Sequence, residues 1–151
     1  MAFLKLINVN KEYVSKAGAF KALSDVSFEL EKDEFVVILG QSGAGKTTLL
    51  NILGGMDTLT TGSIYLNDQE ISSFNKKQLT QYRRNEIGFV FQFYNLMPNL
   101  TALENVELAT EICKDALPPS DVLKNVGLEN KIKYFPAQLS GGEQQRVSIA
   151  R

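Results

Sequence analysis

The sequence predicts an α/β domain, with a β-containing core that includes an antiparallel part over residues 1–92 and a helical subdomain over residues 93–151. Three observations carry that expectation. Residues 35–39 are unbroken in apolar side chains (Phe35, Val36, Val37, Ile38, Leu39), the pattern of a parallel strand buried on both faces. That run enters a glycine-rich stretch, Gly40-Gln41-Ser42-Gly43-Ala44-Gly45-Lys46-Thr47-Thr48, which an apolar helical pattern follows. From residue 93 onward the texture changes to short helices with clear start signals.

The glycine-rich stretch fits Gly-x-x-x-x-Gly-Lys-Ser/Thr at every position. Gly40, Gly43 and Gly45 permit positive φ and let backbone N–H groups, including those of Gln41, Ser42 and Ala44, curl around phosphate oxygens as an anion-binding nest. The helix that follows points its positive end at the same oxygens. Lys46 adds a full charge at the outer phosphates, Thr47 is placed to ligate magnesium, and Thr48 continues the first turn. Leu49, Ile52 and Leu53 give this helix a buried face, and Gly54-Gly55 stops it.

Composition narrows the chemistry. The chain has 151 residues, 44% hydrophobic and 22% charged, enough for one domain with a sizeable core. A net charge of −1 argues against a broad nucleic-acid footprint. Cys113 is the lone cysteine, so no internal disulfide forms; it is expected as a small buried hydrophobe in a reducing cytosol. No apolar run approaches a membrane span, and residues 1–9 lack a signal-peptide pattern, so any service to a membrane is peripheral. The absence of histidine excludes Ser-His-Asp triads and histidine metal sites within this chain.

In chain order, residues 3–9 and 26–30 alternate as half-buried strands, with Val26, Phe28 and Leu30 on one face and residues 15–18 as a loop between them. Tyr13 falls just after the first strand. Residues 63–66 and 70–71 read as a hairpin around Asn67-Asp68. Residues 76–84 favour a helix with Leu79 and Tyr82 on one side and a solvated basic face. Residues 87–91 form a second apolar run of buried-strand type, from which Gln92 emerges. Thr101-Ala102-Leu103-Glu104 is a capping box, with Leu103, Val106 and Ala109 on the helical face behind it. Pro118-Pro119-Ser120 breaks the chain, and Ser120 is expected to cap a short helix ended by Gly127.

The second informative stretch is Leu139-Ser140-Gly141-Gly142-Glu143-Gln144-Gln145-Arg146. Ser140 and Glu143 have capping-box spacing before Val147, Ile149 and Ala150. Gly141 and Gly142 cost a helix on the order of 1 kcal/mol each relative to alanine, and expose bare N–H groups at its positive end. The stretch resembles the Leu-Ser-Gly-Gly-Gln/Glu signature of the ATP-binding cassette (ABC) ATPases, and the resemblance runs over the whole chain. It implies a P-loop NTPase fold in which residues 40–48 are the Walker A loop, Tyr13 stacks on adenine, and Gln92 reaches the magnesium and the attacking water. ATP and Mg2+ are then the implied cofactors, with Lys46 and Gln92 in catalytic roles and Thr47 and Gln92 at the metal. Ser140, Gly141 and Gly142 would contact a nucleotide held by a second subunit in a head-to-tail dimer. The wording of residues 89–98 and 100–106, with Gly54-Gly55-Met56-Asp57, is similar to the lipoprotein-release and macrolide-export subfamily. An integral membrane permease is the implied partner, met from the cytoplasmic face of the cell membrane.

The chain departs from the family pattern in one respect. No run of four apolar residues ends in Asp-Glu, so the Walker B aspartate and the adjacent catalytic glutamate are absent, as is the switch histidine. In the family these lie beyond the signature helix. The chain therefore reads as an N-terminal fragment, truncated before Walker B and incompetent in hydrolysis by itself. It is also expected to be marginally stable, because both apolar strands would lack neighbours. The rival reading, an ABC ATPase acting on DNA or ribosomes, is disfavoured by the near-neutral charge and the export-type wording.

Overall fold

The computed structural model describes residues 2–16, 18–113 and 115–151 and divides the chain into two compact units, Met1–Ile87 and Gly88–Arg151. In the first unit, β1 (Leu4–Ser15), β2 (Gly18–Leu30), β3 (Thr61–Leu66) and β4 (Gln69–Glu70) form one antiparallel sheet in the order β2-β1-β3-β4. Helix α1 (Lys46–Leu53) supplies Leu49 and Ile52 to a core that the sheet builds from Leu6, Val9, Leu23 and Ile64. Val26 and Phe28 pack against that core, as their alternation predicts.

Both long strands extend past their expected ends, and Tyr13 lies inside β1 rather than after it. The reason is a break in alternation. Asn8 and Asp25 adopt positive φ (48° each), and the β1–β2 register shifts between Leu6 and Val9 and again on either side of Lys11. A bulge hides the continuing strand from a period-2 reading. Side chains stabilise it: Asn8 N–H donates to Ser27 Oγ (2.8 Å), and Asn10 exchanges hydrogen bonds with Asp25 (3.0 and 3.1 Å). At the expected loop of residues 15–18, Ser15 and Gly18 pair as the last register positions of β1 and β2; residue 17 lies outside the described residues.

Asn67 (φ 48°) and Asp68 (φ 62°) make the expected two-residue turn between β3 and β4. Helix α2 (Lys76–Asn85) starts with a capping box, Asn75 and Gln78. Its basic face is not simply solvated. Arg83 Nη1 donates to Gly55 O (2.5 Å) and Tyr82 Oη to Leu53 O (2.8 Å), so α2 satisfies carbonyls at the C-terminal end of α1. Burial pushes the Tyr82 phenol up to about 12.

The expected parallel strands are not formed. Among the described residues, 35–39 and 87–91 pair with no strand, and Phe35 and Leu39 are 91% and 86% exposed. A doubly buried strand needs a hydrogen-bonding neighbour and cover on both faces, and residues 1–151 place none beside these runs. Ile38 and Ile87 alone pack against the core of the first unit.

In the second unit, α3 (Ala102–Thr110), α4 (Pro119–Asn125) and α5 (Gly141–Ala150) enclose a small core of Ala102, Val106, Leu123, Leu128, Leu139 and Val147. The Thr101–Glu104 capping box forms. Asn105 is buried on the α3 face beside Ala102 and Val106, with Leu103 packed partly against the core. Its amide accepts from Met97 N–H (2.7 Å) and donates to the carbonyls of Met97, Leu100 and Thr101 (3.0–3.1 Å), which staples residues 97–101 to the helix. Pro118, not Ser120, is the N-cap of α4; Pro119 occupies its first position, where a missing N–H costs nothing, and Gly127 (φ 73°) follows its end. Cys113 is exposed rather than buried, lying in the irregular stretch beyond α3, and Ile149 is exposed on α5.

Candidate nucleotide-binding site

The loop and the start of α1 form a concavity of about 260 Å³ lined by Phe20, Ala22 and residues 42–48. Gly43 and Gly45 adopt φ 82°, whereas Gly40 does not enter the left-handed region. At Gly45 two constraints coincide, because a Cβ would meet Ala22 O at 2.4 Å and Leu23 Cδ2 at 2.9 Å. Glycine there lets the loop lie directly against β2.

Gly45 is the N-cap of α1 and provides no side-chain acceptor, whereas α2, α3 and α5 each begin with a complete capping box. The first N–H groups of an α-helix have no intrahelical acceptor, so those of Lys46 and Thr47 are left for a ligand. Lys46 Nζ donates to Gly40 O (2.8 Å) and Gln41 O (2.7 Å), which closes the loop around its ammonium. Left-handed glycines, open helix N–H groups and a lysine charge together make an anion site of phosphate type. The site fits magnesium as well. A phosphate-bound Mg2+ takes most ligands from phosphate oxygens and water and few from protein, which the exposed Thr47 hydroxyl suffices to complete.

Tyr13 is 41% exposed, and its hydroxyl donates to Asp57 Oδ2 at 2.7 Å. That bond to a carboxylate, more than burial, holds its pKa above the ordinary phenol value. Phe20 stands opposite Tyr13 in the β1–β2 register and is 62% exposed on the wall of the concavity. Sequence reasoning missed Phe20. Counting back from the Ser15–Gly18 hairpin places it, once both strands are known to extend that far.

Gln92, Ser140, Gly141 and Gly142 lie in the second unit. Gln92 is exposed in a turn rather than at the end of a strand. The chain beyond it carries two successive left-handed residues, Tyr94 (φ 58°) and Asn95 (φ 49°), and Arg151 Nη1 donates to Asn95 O (2.8 Å). A Cβ on Gly141 would come within 3.3 Å of Tyr94 Oη, so this loop touches both ends of α5.

Ser140 caps α5: its Oγ accepts from Glu143 N–H (3.3 Å), and Glu143 Oε2 accepts from Ser140 N–H (2.8 Å). Lys131 Nζ meets Glu143 Oε1 at 2.5 Å. The Lys131 ammonium first, and the Ser140 N–H second, hold the Glu143 carboxyl down to about 2. Gly141 and Gly142 are exposed at the helix start.

Residues 23–151 match the family described as ABC transporter. The chain is 44% identical to the lipoprotein-releasing system ATP-binding protein LolD of Cytophaga hutchinsonii, over 98% of this chain and 68% of that protein. It is also 44% identical to the putative ABC transporter ATP-binding protein MG065 homolog of Mycoplasma pneumoniae, over 98% of this chain and 32% of that protein. The chain thus spans from about a third to two thirds of the length of these relatives. Its fold matches the ATP-binding cassette MJ0796, solved as a dimer in a post-hydrolysis state with ADP and Pi, at a TM-score of 0.86 and 42% identity over 97% of this chain and 67% of that one. With a glycine-lined anion cradle at α1 and a match over 129 residues of 151 (23 through 151), the chain belongs to the ABC transporter family.

Proposed function

We propose that this chain is the nucleotide-binding part of an ABC transporter ATP-binding subunit, which couples ATP binding and hydrolysis to export or extraction by an integral membrane permease. The observation that carries the reading is the start of α1, where no side-chain cap competes for the helix N–H groups and Lys46 stands beside them. The loop of residues 40–48 receives the phosphates, Thr47 serves magnesium and Tyr13 takes the adenine. Gln92 would reach the magnesium and the attacking water, and Ser140, Gly141 and Gly142 face the nucleotide of a second copy in a head-to-tail dimer. None of the described helices is long and apolar enough to cross a membrane, in keeping with attachment from the cytoplasmic side through the permease.

Phosphoryl transfer depends on positioning the attacking water, and no Asp-Glu pair follows an apolar run in residues 1–151. The chain is therefore expected to bind Mg-ATP weakly at best and not to turn it over. Sustained, magnesium-dependent phosphate release that Lys46→Ala abolishes would overturn this expectation.

The shared site is tested by mixing two variants, Lys46→Ala and Ser140→Arg. Neither variant alone retains an intact composite site, whereas a mixed pair retains one, made from the good loop of one chain and the good signature of the other. Sedimentation velocity with Mg-ATP should show each variant monomeric and the mixture associating. Failure to associate, under conditions where the unmodified chain does, would rule out a site shared between copies.

A further inference from the structure

We infer that Lys11 and Asp57 are positioning residues that lock the ring of Tyr13 into one orientation, as the platform for a nucleobase. The inference rests on the reading of Tyr13 as that platform and adds what holds it. Lys11 is only 8% exposed, and a buried ammonium needs partners. It finds them in Asp57 Oδ1 (2.7 Å) and Thr58 O (2.6 Å). The other carboxylate oxygen of Asp57 accepts from Tyr13 Oη (2.7 Å), and Thr58 N–H donates to Oδ1 (2.7 Å). Lys11 Nζ also lies 4.6 Å from the centre of the Tyr13 ring, so the cation covers one ring face and leaves the other for stacking.

The anchor is tied to the helix that carries the phosphate loop. The backbone N–H groups of Met56 and Asp57 both donate to Asn51 O in α1 (2.8 and 3.2 Å). The base platform is thereby keyed to the C-terminal half of the same short helix whose start forms the phosphate cradle. A base and a triphosphate joined by ribose gain from such a fixed separation, because less freedom is lost on binding. Phenylalanine at position 13 would stack but would not be held.

The test compares binding of Mg-ATP and of inorganic tripolyphosphate to the purified chain and to Tyr13→Phe, Asp57→Ala, their double variant and Tyr13→Ala. Tyr13→Phe and Asp57→Ala should each weaken ATP by about five-fold, and the double variant no further, since both break one device. Tripolyphosphate affinity should stay constant, which a general loss of structure would not allow. ATP affinity unchanged in Tyr13→Phe, losses that multiply in the double variant, or equal losses for tripolyphosphate would overturn the inference. If Asp57→Ala does not fold, Tyr13→Phe decides alone. If Tyr13→Ala weakens ATP and Tyr13→Phe does not, the platform stands and the positioning device falls. If Tyr13→Ala changes nothing, the platform reading fails, and the positioning role with it.

Discussion

Helices α1 and α5 both start beside glycines, yet their N-termini are built on different principles. At α1 the cap is Gly45 in the left-handed conformation, pressed against β2 and offering no acceptor. At α5 the cap is Ser140 in the extended conformation, closed by a reciprocal box with Glu143 and an ion pair from Lys131. The first end leaves its donors open and relies on tertiary contact for its shape. The second satisfies two donors by itself, those of Ser140 and Glu143, pairs its acidic residue with Lys131, and keeps only the N–H groups of its leading glycines in reserve. Open donors suit an anion that supplies every acceptor itself; a self-sufficient end with a few spare donors can hold its shape without one.

The largest expected effect separates the glycines of the two ends. Gly45→Ala places a Cβ 2.4 Å from a backbone carbonyl at φ 82° and should cost about 3 kcal/mol or more, with loss of ATP binding. Gly142→Ala, whose nearest new contact is Arg146 Nη1 at 3.9 Å, should raise stability by about 0.5 kcal/mol. Urea midpoints measure both, and equal midpoints for the two variants would break the comparison. Next in size, Lys46→Ala should weaken Mg-ATP by about thirty-fold, near 2 kcal/mol, in calorimetric titration of the single chain. Ser140→Ala should leave that titration unchanged, because the proposed signature contact serves another copy.

Ser140→Ala should instead destabilise α5 by about 1 kcal/mol, seen as faster amide exchange along residues 141–150 but not along α1. The smallest effect is a pH dependence confined to α5. The Glu143 carboxyl sits near 4.5 when unfolded and is held to about 2 in the fold, so its contribution is complete above pH 4.5 and fades as pH falls toward 2. Amide protection of α5 should decline through that window, and Glu143→Gln should flatten the decline. An unaltered decline in Glu143→Gln would assign it to other carboxylates.

Local chemistry was legible in the sequence. The Asn67-Asp68 turn and the capping boxes at Thr101 and Ser140 depend on residues within a few positions of one another, and the structure places each as expected; in the loop of residues 40–48, Gly43 and Gly45 are left-handed and Gly40 is not. The Asn75–Gln78 box carried the same kind of signal and was overlooked among basic neighbours. The full extent of β1 and β2 was hidden because a bulge at Asn8 and Asp25 interrupts alternation while the strands continue. Phe20 and the Lys11–Asp57–Tyr13 cluster were not legible, since Lys11 and Asp57 stand 46 residues apart and meet only through the sheet and the end of α1.

By itself, then, the sequence determined most of the helix starts, where the chain turns and that a glycine-rich loop precedes α1, because backbone donors and acceptors are satisfied or exposed by near neighbours. Burial was decided only in three dimensions. The apolar run of residues 35–39 has the composition of a core strand but lies exposed, because burial is a property of what packs against a segment rather than of the segment. Conversely the charge of Lys11, which composition alone would assign to solvent, is buried, because Asp57 and Thr58 are brought to it by the fold.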